Sequence, residues 1–191
     1  NSDKPTKVWG FEVEEQTNLH FLPGYLQFIV VGFNFSWVRS ETYTLNSKTV
    51  TWKDSLELFP GSGIWIPREN SKIVLTDSKN KLEGQPEFFG NFSLGYDYGG
   101  FSGRISVFYQ GEYNSRFSGD KKSDLIVGSF TRWDLALKYK FNDNLSVFFN
   151  FNNFTDVEEA TYTANRVNDW KLVNTKEKYD YTADLGLRVT L

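Results

Sequence analysis

Side chains that commonly carry catalysis are scarce in this sequence. Its 191 residues include one histidine, His20, and no cysteine. A disulfide framework or a thiolate-ligated metal site therefore has no residues to form it. His20 stands beside a predicted turn, with no nucleophile and no further metal ligand near it in the sequence, so we interpret it as an ordinary turn residue. We predict no enzymatic activity and no cofactor.

Ionisable side chains recur at every second position of several segments. Glu12 and Glu14 share one face of a predicted strand, and a carboxylate pair of this kind could act as general acid and base. We favour a different interpretation, in which each pairs with an arginine or lysine from a neighbouring element. The remaining charges of this kind either line a substrate channel or form a hydrated wall, and we favour the wall: Arg104, Arg132, Asp134, Lys138, Asp184 and Arg188.

Three tryptophans in long polar stretches are the candidate ligand contacts. Because flat rings bury a large area at small entropic cost, Trp52, Trp65 and Trp170 could stack on a ligand. They could equally pack the polar stretches onto themselves. The two alternatives are equally compatible with the sequence.

The element that best shows how these side chains are positioned is residues 145–153, LSVFFNFNN. Apolar residues at positions 145, 147, 149 and 151 alternate with serine and asparagine, which is the period-two pattern of a sheet with one apolar and one polar face. The composition agrees, because aromatic residues make up 18% of the chain while the mean hydropathy is −0.47. The sequence contains no run of about 18 apolar residues, so it predicts no membrane-spanning helix. The net charge of −3, without a basic patch, gives no indication of nucleic acid binding.

The same alternation predicts about seven strands, joined alternately by short turns and long polar stretches. The long stretches include residues 41–85 and 154–178, and we expect both to be extracellular loops. Short turns at one end of a sheet and long loops at the other are typical of outer-membrane barrels. The predicted strands are residues 7–21, 25–40, 87–98, 101–113, 126–141, 145–153 and 179–191.

Aromatic residues concentrate near both ends of the apolar face. Amphipathic rings prefer the boundary between water and lipid, so two such girdles are expected where a sheet faces hydrocarbon. We therefore predict an all-β fold, an antiparallel up-and-down segment of a transmembrane β-barrel, with the charged face toward the lumen. A soluble β-sandwich with an aromatic core is the alternative. The predicted lipid-facing girdle includes Trp9, Trp37, Tyr109, Trp133, Tyr139 and Phe141.

Several stretches together resemble the C-terminal part of a TonB-dependent outer-membrane receptor. They are DNLSVFFNFNNFTD (143–156), LEGQPEFFGNFSLGYDY (82–98) followed by GGF, and the final YDYTADLGLRVTL. GFEVEEQTNLHFLPGYLQF (10–28) extends the similarity over nearly the whole chain. Their order and spacing, rather than any single motif, carry the resemblance.

The resemblance implies a barrel of about 22 strands around a plug, of which this chain would supply the seven C-terminal strands. The plug and roughly 15 strands would lie outside it, and Asn1 would lie at the loop side. Members of the family usually end in an aromatic residue, so a chain ending in Leu191 is expected either to differ there or to lack a terminal residue. The implied function is uptake of a scarce ligand, such as a metal–siderophore, a vitamin or an oligosaccharide, energised through TonB; a passive porin-like channel is the alternative.

The resemblance also implies a location and partners. The location is the outer membrane of a Gram-negative bacterium, crossed several times by the chain. The partners are membrane lipid and lipopolysaccharide, the protein's own plug and remaining strands, and the TonB complex. A surface lipoprotein is a further candidate partner.

Overall fold

The computed structural model describes residues 3–190, and the predictions about Asn1 and Leu191 concern residues outside that range. The described chain forms twelve strands and one 3-10 helix, Gly24–Phe28. In chain order the strands are β1 (Lys7–Asn18), β2 (Ile29–Glu57), β3 (Trp65–Asn80), β4 (Phe88–Tyr98), β5 (Phe101–Gln110), β6 (Tyr113–Arg116), β7 (Asp124–Val127), β8 (Phe130–Lys140), β9 (Leu145–Asn152), β10 (Glu158–Asn165), β11 (Trp170–Lys178) and β12 (Thr182–Val189).

Seven of these strands form one continuous wall, in the order β1-β2-β4-β5-β8-β9-β12. Every neighbouring pair in this wall is antiparallel. The predicted all-β, up-and-down arrangement of seven strands is confirmed. Within this chain the wall stays open, with β1 and β12 at its two edges.

The register of the strands makes the two faces of the wall continuous. Side chains directly opposite each other in an antiparallel sheet lie on the same face. One row of opposed residues runs Phe33, Phe92, Val107 and Trp133 across four strands. The adjacent row, on the opposite face, contains the pair Asn34 and Asn91. The other rows on that face are rich in serine and charged residues. The alternation seen along single strands therefore adds up to one apolar face and one polar face.

The apolar face of the wall has no second layer over it. Leu185 is 77% exposed and Phe11 is 53% exposed, whereas the polar-face residues Ser36 and Ser146 are 5% and 7% exposed. Among the described residues, the buried hydrophobic side chains are those of Val30 and Ala164 alone. A soluble sandwich would bury its large apolar side chains between two sheets. The wall of this chain leaves them uncovered.

The structure forms a long β-hairpin within the predicted loop at residues 41–85. Strand β2 continues to Glu57, far beyond its pairing with β1 and β4, and β3 returns along it through sixteen residues. At about 3.3 Å per residue, this β2–β3 hairpin projects roughly 50 Å past the wall. The sequence conceals it because polar residues occupy both faces of the hairpin, which removes the apolar alternation while threonine and valine still favour strand.

The other long excursions also contain strands. Residues 154–178 include β10 and β11, and the segment after β5 contains β6 and β7. Together they form a second sheet with the order β11-β10-β7-β6, called the outer sheet below. The predicted strand 126–141 is accordingly divided into β7 and β8, with buried Gly128 donating its N–H to the Ala160 carbonyl between them.

The first connection is longer than predicted. Instead of a tight turn at residues 22–24, β1 ends at Asn18 and a 3-10 helix precedes β2. Gly24 has φ +64°, a conformation that favours glycine, and it starts this helix. The ring of Phe28 then packs 4.7 Å from that of Tyr98. Ring packing at the base of β2 thus fixes a segment that was predicted as strand.

Candidate functional site

The polar face carries ion pairs formed within the wall itself. Arg104 donates two hydrogen bonds to the Asp97 carboxylate, at 2.9 and 2.7 Å. Arg132 pairs with Asp134 on its own strand at 3.3 Å. Arg104 and Arg132 therefore each have an oppositely charged partner within the wall itself.

Other predicted polar-face charges have no ion-pair partner among residues 3–190. Glu12 lies opposite Ser36 and Glu14 opposite Asn34, so strand β2 does not supply the cation expected there. On β12, Asp184 lies opposite Asn150 and Arg188 opposite Ser146, and neither forms an ion pair within residues 3–190. These unpaired charges lie on β1 and β12, the two edge strands of the open wall.

A cavity of about 360 Å³ lies at the turn end of the polar face, the end where short turns join the strands. Arg104, Lys138 and Arg188 line it, together with the ring of Phe148. That ring lies over Gly186, where an added Cβ would approach it to 2.2 Å. Phe148 was not predicted, although the Phe-Phe doublet at 148–149 signals it, because adjacent strand residues must face opposite sides.

A second cavity, of about 460 Å³, lies at the loop end of the same face. Its lining includes Arg132, Asp134, Glu159 and Tyr179. Asn153 closes one side through its backbone N–H, which donates to Asp134 at 2.8 Å, and its side-chain amide, which donates to the Asp180 carbonyl at 2.9 Å. Carboxylates, amides and an aromatic ring therefore converge near the predicted outer mouth.

Aromatic rings also occur on the polar face, and the sequence interpretation missed them. Phe108 and Phe130 pack with ring centroids 5.5 Å apart near the loop end, and Phe89 shares their face. As with Phe148, the Phe-Phe doublet at 88–89 could have predicted this. Adjacent residues of a strand point to opposite faces, so one of the two rings must lie on the polar face.

The predicted girdle residues lie on the apolar face at the two ends of the strands. Trp9, Trp37, Tyr109 and Trp133 are at the loop end, where the Trp37 ring packs 5.5 Å from that of Phe11. Tyr139 and Phe141 are at the turn end and pack edge to face at 4.9 Å.

The three tryptophans predicted as ligand contacts are not brought together. Trp52 pairs with Asn70 and Trp65 with Glu57, which places the two rings on opposite faces of the β2–β3 hairpin. Trp170 begins β11 in the outer sheet. Their exposed fractions are 46%, 60% and 39%, so each ring is available separately, but the three do not form a joint stacking platform.

A polar cluster stabilises the base of the β2–β3 hairpin. Glu41 forms an ion pair with Lys79 at 2.7 Å and accepts a hydrogen bond from the Tyr43 hydroxyl at 2.9 Å. The bond to Lys79, then that to Tyr43, lowers the pKa of Glu41 below its ordinary value. The same contact raises the pKa of Lys79 and the bond to Glu41 raises that of Tyr43.

Residues 3–190 contain no helix long and apolar enough to span a membrane. Over the same range, no three histidine or acidic side chains lie together as a metal site would require.

Comparison with known protein families identifies the family to which this β-sheet belongs. The family model described as "TonB dependent receptor-like, beta-barrel" matches residues 1–154. The chain belongs to this family. Searches of curated proteins and of solved structures give no match.

Family membership makes the open wall a segment of a TonB-dependent receptor barrel. The family consists of outer-membrane receptor and transport proteins rather than enzymes. The matched region ends beside β9, yet β12 continues the receptor wall through eight residue pairs with β9. The barrel segment therefore extends beyond the part of the sequence that the family model recognises.

Proposed function

We propose that this protein takes up a scarce ligand across the outer membrane of a Gram-negative bacterium, in a process energised through TonB. The chain supplies a lipid-facing wall, a polar lumen surface and long outer excursions. Membership of the receptor family supports uptake as the general activity. Metal–siderophores, vitamins and oligosaccharides are the ligand classes in question.

One observation carries the proposal: an uncovered apolar face is in register across seven strands while the opposite face is polar. Contiguous exposed apolar surface of this size is unfavourable in water and requires a lipid or protein covering. Lipid suits it, because aromatic rings stand at both strand ends and aliphatic residues lie between them. The apolar face then meets membrane lipid and lipopolysaccharide, and the polar face meets a water-filled or plugged lumen.

The polar face supports a plug as the body in front of the wall. Glu12, Glu14, Lys138 and Arg188 have no ion-pair partner within residues 3–190, and charges of both signs are available to a folded partner. The loop-end cavity and the exposed rings of Trp52 and Trp170 are the surfaces proposed to contact ligand. The outer excursions also offer surface to a lipoprotein partner.

The decisive experiment compares energised uptake with passive leakage. The full-length protein is expressed in two porin-deficient Gram-negative strains. One strain has a functional TonB and the other lacks it. Uptake of radiolabelled ferric siderophores, cobalamin and maltooligosaccharides is then measured in parallel. We expect uptake of one class, lost without TonB, and no conductance when the purified protein is placed in a planar bilayer.

Two results would contradict the proposal in different ways. TonB-independent uptake with steady single-channel conductance would identify a passive porin-like channel. Recovery of the protein from cells without detergent, as a monodisperse soluble particle, would instead identify a β-sandwich and remove the membrane assignment.

A further inference from the structure

The guanidinium group of Arg166 lies where the β2–β3 hairpin meets the outer sheet. Arg166 follows β10 in the turn of the β10–β11 hairpin, and its backbone N–H donates to the Lys121 carbonyl at 2.9 Å. Its side chain is about one-third exposed. It stacks over the Phe117 ring at 4.9 Å. The residue thus contacts the β6–β7 connection through both its backbone and its side chain.

Asp124 provides the buried anion of this cluster. Its side chain is fully buried and contacts the Arg166 guanidinium as an ion pair. Its carboxylate also accepts hydrogen bonds from the backbone N–H and the hydroxyl of Ser118, at 2.7 and 3.1 Å. A buried carboxylate is tolerated only when it is paired and hydrogen-bonded in this way. Arg166 is therefore held firmly on the outer-sheet side.

The same guanidinium reaches the β2–β3 hairpin. It donates to the Asn80 side-chain oxygen at 2.9 Å, across a sequence separation of 86 residues. Asn80 is buried at the last position of β3, and its amide donates to the Thr44 hydroxyl at 2.5 Å. One planar, five-donor group thus bonds the hairpin and the outer sheet at once, as the fork geometry of arginine permits.

The segment that follows β3 adds two bonds to this junction. Glu83 accepts the Phe117 N–H at 2.7 Å, and Gly84 donates to the Asn114 carbonyl at 2.9 Å. These bonds attach residues just beyond the hairpin to the outer sheet, whereas Asn80 receives the hydrogen bond to the hairpin itself. The backbone of β2 at Leu45 and Ser47 also lies near Gly119 of the β6–β7 connection. The hairpin beyond Glu41 has no paired strand at either edge within residues 3–190.

We propose that Arg166 clamps the base of the β2–β3 hairpin to the outer sheet, so that the two excursions move as a single rigid body. A two-stranded hairpin without support is at best marginally stable and free to swing. The clamp fixes the direction in which the hairpin projects. Any molecule that contacts the hairpin is thereby mechanically coupled to the outer sheet beside the loop-end cavity.

The test measures the distance between two nitroxide labels by pulsed electron paramagnetic resonance. Cysteines replace Ser55 near the hairpin tip and Asn168 in the β10–β11 turn, in the full-length protein in lipid vesicles. Native protein should show one narrow distance distribution. Arg166→Met and Asn80→Ala should each broaden it about twofold or more, since the freed hairpin would then sample many orientations. Arg166→Lys should broaden it partially, because the three donors of an ammonium radiate from one nitrogen and do not span Asp124 and Asn80 as the guanidinium fork does.

Two matched controls isolate the clamp. Lys171→Met removes another contact of the outer sheet, the ion pair with Glu112 and the cation–π contact with Tyr162, and should leave the distribution unchanged. Ser78→Ala changes β3 two residues before Asn80 and should also have no effect. Heat-modifiable migration in gels confirms that each variant has a folded barrel.

Asn80→Ala keeps the test decisive if Arg166→Met does not fold, because it leaves the Asp124–Arg166 pair intact. A native-width distribution in Asn80→Ala would overturn the proposal, even if Arg166→Met broadens it. That combination would mean that Arg166 only compensates the buried Asp124 charge. None of these outcomes depends on whether the protein transports a ligand.

Discussion

The guanidinium group of Arg104 occupies the space that a side chain at Gly95 would fill. A Cβ built at Gly95 would lie 2.3 Å from Arg104 Nη1 and 2.5 Å from its Cδ. The two residues are directly opposed on β4 and β5, and this position lets Arg104 reach Asp97 with two hydrogen bonds. Glycine is needed here for space, because its φ is not in the left-handed region.

We expect Gly95→Ala to displace Arg104 and to weaken its pair with Asp97. The cost should be about 1 kcal/mol, because overpacking is partly relieved by movement of a flexible side chain and a solvent-exposed ion pair contributes little. Refolding titrations of the full-length protein into lipid vesicles measure the change. In an Arg104→Ala background the same glycine substitution should cost almost nothing, and additive effects of the two changes would contradict the assigned contact.

Adjacent residues at the middle of β9 test which face meets lipid. Phe149 lies between Leu137 and Leu185 on the apolar face, and Asn150 lies between Ala136 and Asp184 on the polar face. Phe149→Arg should lower the free energy of unfolding by about 2–4 kcal/mol, because it places a charge near the bilayer midplane. Asn150→Arg, its matched control, should change it by less than about 1 kcal/mol, since Asp184 is opposite. Equal losses in the refolding titration would refute the proposed orientation of the wall.

Asn153 holds the loop end of the wall together. Its side chain is 8% exposed, donates to the Asp180 carbonyl at 2.9 Å and accepts the Val157 N–H at 3.1 Å. Asn153→Ala should cost about 1–3 kcal/mol, because two part-buried hydrogen bonds are lost. The residue also has φ +53°, which asparagine tolerates better than alanine.

The neighbouring Asn152 is the control for that substitution. It is exposed and makes one long hydrogen bond, at 3.3 Å, to Thr182. Asn152→Ala should therefore change the free energy of unfolding by about 0.5 kcal/mol or less. Similar costs for the two alanine variants would remove Asn153 from its assigned role.

The contact between Glu41 and Lys79 at the base of the β2–β3 hairpin should weaken at both low and high pH. The lowered pKa of Glu41 means that its stabilising contact is fully present above the ordinary value of 4.5 and is lost as pH falls through the lowered value. The raised pKa of Lys79 means that the contact is fully present below 10.5 and is lost as pH rises through the raised value. A nitroxide at Ser47 should therefore be least mobile between these limits, as measured by its spectral line shape.

A substitution separates the two limbs of this profile. Glu41→Gln removes the carboxylate, so the acid limb should disappear and mobility at neutral pH should rise. A sharp acid transition that persists in Glu41→Gln would assign the titration to another group.

The strands of the wall were predictable because each carries its own two faces. Residues 145–153 alternate rings with serine and asparagine, and this local pattern suffices to predict a strand and its orientation. The tight turn at Gly99 and the asparagine-rich turn at 142–144 also place strand ends correctly, because their chemistry acts over two or three residues: Asn142 accepts the N–H groups of Asn144 and Leu145.

The strands beyond the wall, and the aromatic rings that lie on its polar face, could be identified only from the tertiary structure. The β2–β3 hairpin has polar residues on both sides and is defined by pairing between segments, which no single segment records. The bond from Arg166 to Asn80 joins residues 86 positions apart. In the same way, Gly186 stands directly opposite Phe148 on the neighbouring strand and leaves room for its ring on the polar face. A sequence specifies the period of each strand locally, whereas space left by one residue for another exists only after the strands have paired.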